Sequence, residues 1–166
     1  QHKKRQNLLK KLISGEAEYS NSIKLSNKKQ HLKRTTVTIA PQLEIGKYAN
    51  GFKNLDEYEW FFPIHFPGNP NMPGALQLEA LAQMLTVAIT TLPDLKGKVT
   101  HAISHTVKFK KEVIPGRKYE IKTKINSWSR GICKGVGQGF TDGEVACEAE
   151  MIITIPEILK SFLPKK

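Results

Sequence analysis

Cysteine is scarce in this 166-residue chain, occurring only at Cys133 and Cys147. The two form no close-spaced metal or redox motif, which sets aside a disulfide-stapled scaffold and makes a reducing, cytoplasmic setting the expectation. Acidic residues are also few, 15 against 26 Lys and Arg, leaving a formal charge of +11. Long apolar runs are missing: nothing reaches the ~18 uninterrupted apolar residues of a membrane-spanning helix, so no membrane insertion is expected. Leu8-Leu9-Lys10-Lys11-Leu12-Ile13 is too short for the apolar core of a signal peptide. What is present, 39% hydrophobic and 25% charged residues, is ordinary globular composition. A domain of this size buries roughly 70% of its extended-chain surface and needs no staples.

The positive charge is unevenly spread. Residues 1–34 hold 10 Lys and Arg against two acids, and residues 35–166 hold 16 against 13. Residues 1–32 therefore read as a basic, polar extension with one short helix around residues 5–13, and residues 33–166 as the folded domain. Such an arm suits nucleic acid, anionic lipid or an acidic protein, and equally a solubilising tail. No stacking-aromatic motif accompanies it, so nucleic acid is not the expected partner.

Local pattern supplies the elements. The β-branched run Thr35-Thr36-Val37-Thr38-Ile39 predicts a strand that Pro41 ends, with Leu43–Tyr48 a second short strand and Glu57–Phe62 a third extended stretch. From His65 to Gly74, three prolines and two glycines in ten residues dictate a backbone path. Ala75 through Thr91 has neither Gly nor Pro and is the best helix, with Pro73 suited to its first turn. Of residues 75–92, 12 are Ala, Leu, Met, Val or Ile and they do not keep to one side, so this helix is expected to be buried nearly all round.

After Pro93 the chain reads as strands: Val99–Lys110, a segment with Tyr119, Ile121 and Ile125 on one face, Arg130–Phe140 and Glu144–Ile155. The last puts Val145, Cys147, Ala149, Met151 and Ile153 on one face, and Asp142-Gly143 predicts the hairpin turn before it. Gly135, Gly137 and Gly139 leave one face of their strand bare, where another backbone could approach. The sum is an α+β fold, a curved antiparallel sheet wrapped around one long central helix.

Chemistry enters through Glu79, the only charge in that helix. A carboxylate buried among apolar side chains must be paired, or keep its proton near neutral pH and so serve as a general acid. His65 stands at the mouth of the rigid loop that delivers the chain to the same helix. His2, His31, His101 and His105 lack such a setting; the last two, four apart in a strand, would share a face, but no third metal ligand is nearby. Gly74 opens the helix, where first-turn N–H groups have no intrahelical partner and no side chain shields them. Imidazole, carboxylic acid and polarising N–H together suit proton removal beside a carbonyl with departure of a β-substituent.

The run Phe61-Phe62-Pro63-Ile64-His65-Phe66-Pro67-Gly68-Asn69-Pro70-Asn71-Met72-Pro73-Gly74-Ala75-Leu76, followed by Glu79-Ala80-Leu81-Ala82-Gln83, resembles the 3-hydroxyacyl-acyl-carrier-protein dehydratases of the FabZ type. Val107-Lys108-Phe109-Lys110 with Val113-Ile114-Pro115-Gly116, and the hairpin Asp142–Glu150, resemble two later blocks of that family in the correct order. The resemblance implies a hotdog fold and a lyase that dehydrates 3-hydroxyacyl thioesters on acyl carrier protein in fatty-acid or related lipid biosynthesis. It implies a homodimer or trimer of dimers, with His65 of one subunit facing Glu79 of the other and no metal or redox cofactor. It further implies that His65 removes the α-proton, Glu79 protonates the departing hydroxyl and the Gly74 N–H holds the thioester carbonyl. Phe66, Pro73 and Gln83 would line the substrate site, with the acyl chain in an apolar tunnel beside the helix.

Three departures stand out. Ile64 occupies the position where the family has Gly, the family's early Pro-His-Arg stretch is missing, and no bulky aromatic stands around Thr100-His101. The alternative is a thioesterase-like or non-catalytic hotdog protein that binds acyl thioesters. Such thioesterases generally lack the His-Phe-Pro-Gly loop, which weighs against it.

Overall fold

The alternating segments become strands of one sheet, and the apolar run becomes the helix they enclose. The computed structural model describes residues 38–164; the basic extension, its expected helix and residues 35–37 of the first expected strand lie outside them. The order along the chain is β1 (Thr38–Glu44), β2 (Tyr48–Asn54), α1 (Gly74–Thr90), β3 (His101–Phe109), β4 (Lys118–Ser129), β5 (Ile132–Thr141), β6 (Glu144–Thr154) and α2 (Pro156–Leu159), closed by a 3₁₀ turn at Lys160–Phe162. The strands form a single antiparallel sheet in the order β1-β2-β4-β5-β6-β3. Helix α1 packs against β4, β5, β2 and β6. This is the expected hotdog architecture.

Three local expectations are corrected. β1 passes through Pro41 instead of ending there, with a register shift between Ile39 and Leu43; an edge strand tolerates a residue that cannot donate to the ladder. Leu43–Tyr48 is not a strand of its own: Leu43 and Glu44 end β1, Tyr48 begins β2 and residues 45–47 turn between them with Gly46 at φ 66°, while β2 itself hides in Asn-, Gly- and Lys-containing sequence of low β propensity. Glu57–Phe62 is not extended. It winds through successive turns, the N–H groups of Glu59, Phe62 and Ile64 bonding to the carbonyls of Asp56, Glu59 and Phe61. An Asp56 side chain that accepts the Tyr58 N–H at 2.9 Å starts the turns.

Both hairpins that frame β5 use consecutive left-handed residues, Arg130-Gly131 and Asp142-Gly143. The first falls in the stretch whose pattern predicts strand from Arg130, and no sequence pattern marks the short α2. The bare face of β5 admits side chains rather than a strand from elsewhere. A β-carbon at Gly135 would lie 2.7 Å from a Leu85 methyl, and one at Gly139 1.9 Å from the Tyr119 hydroxyl. The glycines thus let α1 settle close to the sheet. Within α1, Thr90 and Thr91 return their hydroxyls to the carbonyls of Thr86 and Ala88.

On β3 the register shifts between Ala102 and Ser104, so His101 sits opposite Thr154 and His105 opposite Met151. The extra residue puts the two histidines on opposite faces, contrary to simple alternation. Among the described residues no group of three potential metal ligands occurs. Among them, too, no helix is long and apolar enough to cross a membrane.

Candidate active site

The loop expected to be rigid is held by a dense set of hydrogen bonds. Phe66 and Asn69 exchange backbone N–H and carbonyl bonds at 3.1 and 3.0 Å around Pro67-Gly68, with Gly68 at φ 79°, the turn geometry that Pro followed by Gly favours. The Asn71 N–H donates to the His65 carbonyl at 2.8 Å, and the Met72 N–H to the Val113 carbonyl at 2.8 Å. The Asn71 side-chain oxygen accepts the Val113 N–H at 2.8 Å, tying the loop to the fully buried Val113.

His65 Nδ1 lies 3.0 Å from the Asn71 carbonyl oxygen. A carbonyl only accepts, so Nδ1 is the donor, and in the neutral ring Nε2 keeps its lone pair. A neutral imidazole oriented in this way is a general base in waiting. The His65–Phe66 peptide is cis, and the Phe66 ring stacks on the imidazole at 4.1 Å. Asn71 was not singled out from sequence; an Asn between two prolines gives no periodic signal.

The loop delivers the chain to Pro73, whose carbonyl accepts the N–H groups of Leu76 and Gln77 and so starts α1. The Gly74 N–H makes no hydrogen bond among the described residues. Glycine is needed here for a second reason: a β-carbon would lie 2.6 Å from Cζ of Phe109, whose ring rests on the helix start. Phe109 is another residue the sequence reading did not assign to the site.

Glu79 corrects an expectation. It is exposed within the chain, not buried, while Gln77 two residues earlier enters the core and donates to the Met72 carbonyl at 3.1 Å. The helical turn of about 100° per residue puts Ala75, Glu79 and half-exposed Gln83 on the side away from the sheet. Gln83 Nε2 donates to Glu79 Oε1 at 2.7 Å. Among the described residues no hydrogen bond or ion pair joins Glu79 to His65 within one chain. Cys133 and Cys147 are buried, and burial pushes both thiols up to about 11, so neither is an activated nucleophile.

A sheet wrapped on a helix, with this loop at the helix start, defines a hotdog-fold protein. Solved structures with the same fold include the E. coli PaaI protein from the phenylacetic acid degradation operon, at TM-score 0.63 and 11% identity over 88% of this chain and 93% of that one. Thioesterase superfamily member 2 of Mus musculus superimposes at TM-score 0.60 and 9% identity over 91% and 97%. Sequence narrows the class. Residues 32–150 match the FabA-like domain family. The chain is 44% identical over 115 residues to the 3-hydroxyacyl-acyl-carrier-protein dehydratase FabZ of Caldicellulosiruptor saccharolyticus, covering 69% of this chain and 82% of that protein. It is 38% identical over 117 residues to the FabZ of Moorella thermoacetica, covering 70% and 82%. The chain belongs to the FabZ dehydratase family.

Proposed function

We propose that this protein dehydrates 3-hydroxyacyl thioesters carried on acyl carrier protein to trans-2-enoyl thioesters, in fatty-acid or related lipid biosynthesis. The observation that carries this reading is the His65 imidazole, locked by the Asn71 carbonyl with Nε2 free, at the end of a loop that leads to an unbonded Gly74 N–H. Nε2 takes the α-proton, and the electron pair forms the new double bond as the β C–O bond breaks. The Glu79 carboxyl protonates the departing hydroxyl, which leaves as water. The Gly74 N–H holds the thioester carbonyl and stabilises charge that develops on its oxygen. Phe66, Pro73 and Gln83 line the substrate site.

A second copy of the chain completes the site. Support comes from the surface: β3 is an edge strand whose side chains, half-buried Val107 apart, are all exposed. Ile103, Phe109, Ile64 and Phe66 are exposed apolar residues, each more than half accessible. Open edges and apolar surface of this kind mark an interface. Pairing there in a homodimer, alone or in a trimer of dimers, would cover Glu79 and bring it opposite the partner's His65, with the acyl tunnel closed between them. Residues 33–166 form this catalytic domain. The formal charge of +11, most of it in residues 1–34, suits encounter with an acidic carrier protein. The two buried, unpaired thiols agree with a reducing cytoplasm.

The thioesterase names among the structural neighbours give the competing reading, hydrolysis of the thioester. One assay separates the two. Crotonyl thioesters of carrier protein and of coenzyme A are supplied, and loss of the enoyl absorbance is followed alongside release of free thiol. Hydration with no thiol release is the expected result. Thiol release without loss through hydration would overturn the dehydratase reading.

A further inference from the structure

Among the described residues, the charged side chains that are buried are Lys53 and Glu59, and they face each other, Lys53 Nζ lying 2.5 Å from Glu59 Oε1 with 6% and 3% of their side chains accessible. Taking both charges out of water is costly, and an apolar pair of similar volume would serve stability as well or better. What an ion pair adds is direction, which hydrophobic contact lacks.

The two partners come from different kinds of backbone. Lys53 stands in a regular ladder, paired with Tyr119 of β4, which is itself paired with Thr141 of β5. Glu59 sits in the turn segment that has no strand to hold it. Its carbonyl accepts the Phe62 N–H at 3.1 Å, the Phe61 carbonyl accepts the Ile64 N–H at 3.2 Å, and His65 follows. Phe61 and Phe62 bury their rings but can slide against apolar neighbours. Beyond the histidine, Asn71 fixes the loop by directional bonds. On the near side, the ion pair is a directional side-chain contact between the turns and the sheet.

We propose that Lys53 and Glu59 are a positioning pair for His65, setting the path of residues 59–65 so that Nε2 meets the substrate's α-carbon. The proposal rests on His65 being the base, so its test includes a readout independent of turnover. In Lys53→Met/Glu59→Met, whose buried charges are both gone, the fold and Tm should be retained. The kcat for crotonyl-thioester hydration should fall roughly 10-fold, because small misplacements of a reacting group are expensive, while KM stays near the wild-type value. The His65 ring resonance in histidine-labelled protein should move. Glu59→Asp, which keeps both charges and shortens the reach by a methylene, should show the same signs more weakly. Swapping the pair, Lys53→Glu/Glu59→Lys, should recover part of kcat.

Ile153→Val serves as a control of stability alone, lowering Tm without changing kcat or the His65 resonance. A folded double variant, or a folded Glu59→Asp, with wild-type kcat and an unmoved resonance would overturn the proposal. So would an Ile153→Val that reproduced both changes. A wild-type protein without hydratase activity would remove the functional reading, and the resonance would still decide whether the pair positions His65.

Discussion

The two long faces of α1 are finished differently. One carries Leu81, Leu85 and Ala88, fully buried against the sheet, where glycines on β5 make room for them. The other carries Ala75 and Glu79, both exposed, with Ala82 and Gln83 half-exposed. Alanine stands on both faces, yet only one has a cover within the chain. An apolar pattern on every side of a helix therefore does not say which side the chain itself covers. The proposed acid and base divide along the same line. His65 is oriented by its own chain, through Asn71, whereas Glu79 has only its helical neighbour Gln83.

The largest effects should come from the two groups themselves. His65→Ala and Glu79→Gln should each lower dehydration by at least ~10²-fold, the scale on which a general acid or base contributes, with circular dichroism and Tm retained. Steady-state hydration of crotonyl carrier protein measures this, and near-wild-type turnover in either variant would remove that residue from the mechanism. Mixing the two inactive proteins then tests the division between chains. If the open face of α1 is covered by a second copy, exchanged subunits contain one intact site and part of the activity returns. No recovery after verified exchange would put both groups to work within one chain.

The covered face can be stressed in turn. A β-carbon at Gly139 would lie 1.9 Å from the hydroxyl of Tyr119, a ring with no accessible surface, while one at Gly137 would lie 3.0 Å from the Met151 methyl and 3.1 Å from Leu81 Cβ. Gly139→Ala should cost about 1–3 kcal/mol, the usual range for overpacking, and Gly137→Ala should cost less, since a flexible Met side chain can give way. Urea unfolding measures both. Equal costs would mean that the buried Tyr119 ring gives way as readily as the flexible Met151 side chain.

Much of this was legible beforehand because it rests on short-range pattern. Alternation placed β4 and β6, the Gly- and Pro-free run placed α1, and Asp142-Gly143 placed a hairpin. β2 escaped because Asn50, Gly51, Lys53 and Asn54 lack strand propensity and pair only because β1 and β4 flank them. The candidate site was readable as residue types at motif spacing, His65, Gly74 and Glu79. Its supports were not. Asn71, Phe109 and the buried Lys53–Glu59 pair act through tertiary contacts between segments distant in sequence, which leave no periodicity to read. The exposure of Glu79 escapes for the same reason, since the apolar pattern of α1 does not say which of its sides the sheet covers.

The smallest effect expected is at Gln83. Its amide donates to one Glu79 oxygen at 2.7 Å from one helical turn away, a pairing that the i,i+4 spacing makes possible without tertiary help. Holding that oxygen leaves the other to meet the departing hydroxyl. Gln83→Leu removes the donor at nearly constant volume, so the carboxyl keeps its place on α1 but gains rotational freedom. Loss of orientation alone should lower kcat by roughly 3- to 10-fold with KM little changed, well short of the effect of losing the carboxyl. Such a result would mean that the contact seen within one chain persists once the face is covered. Unchanged kcat would mean that the cover itself orients Glu79, and the two faces of α1 would then differ more than a single chain reveals.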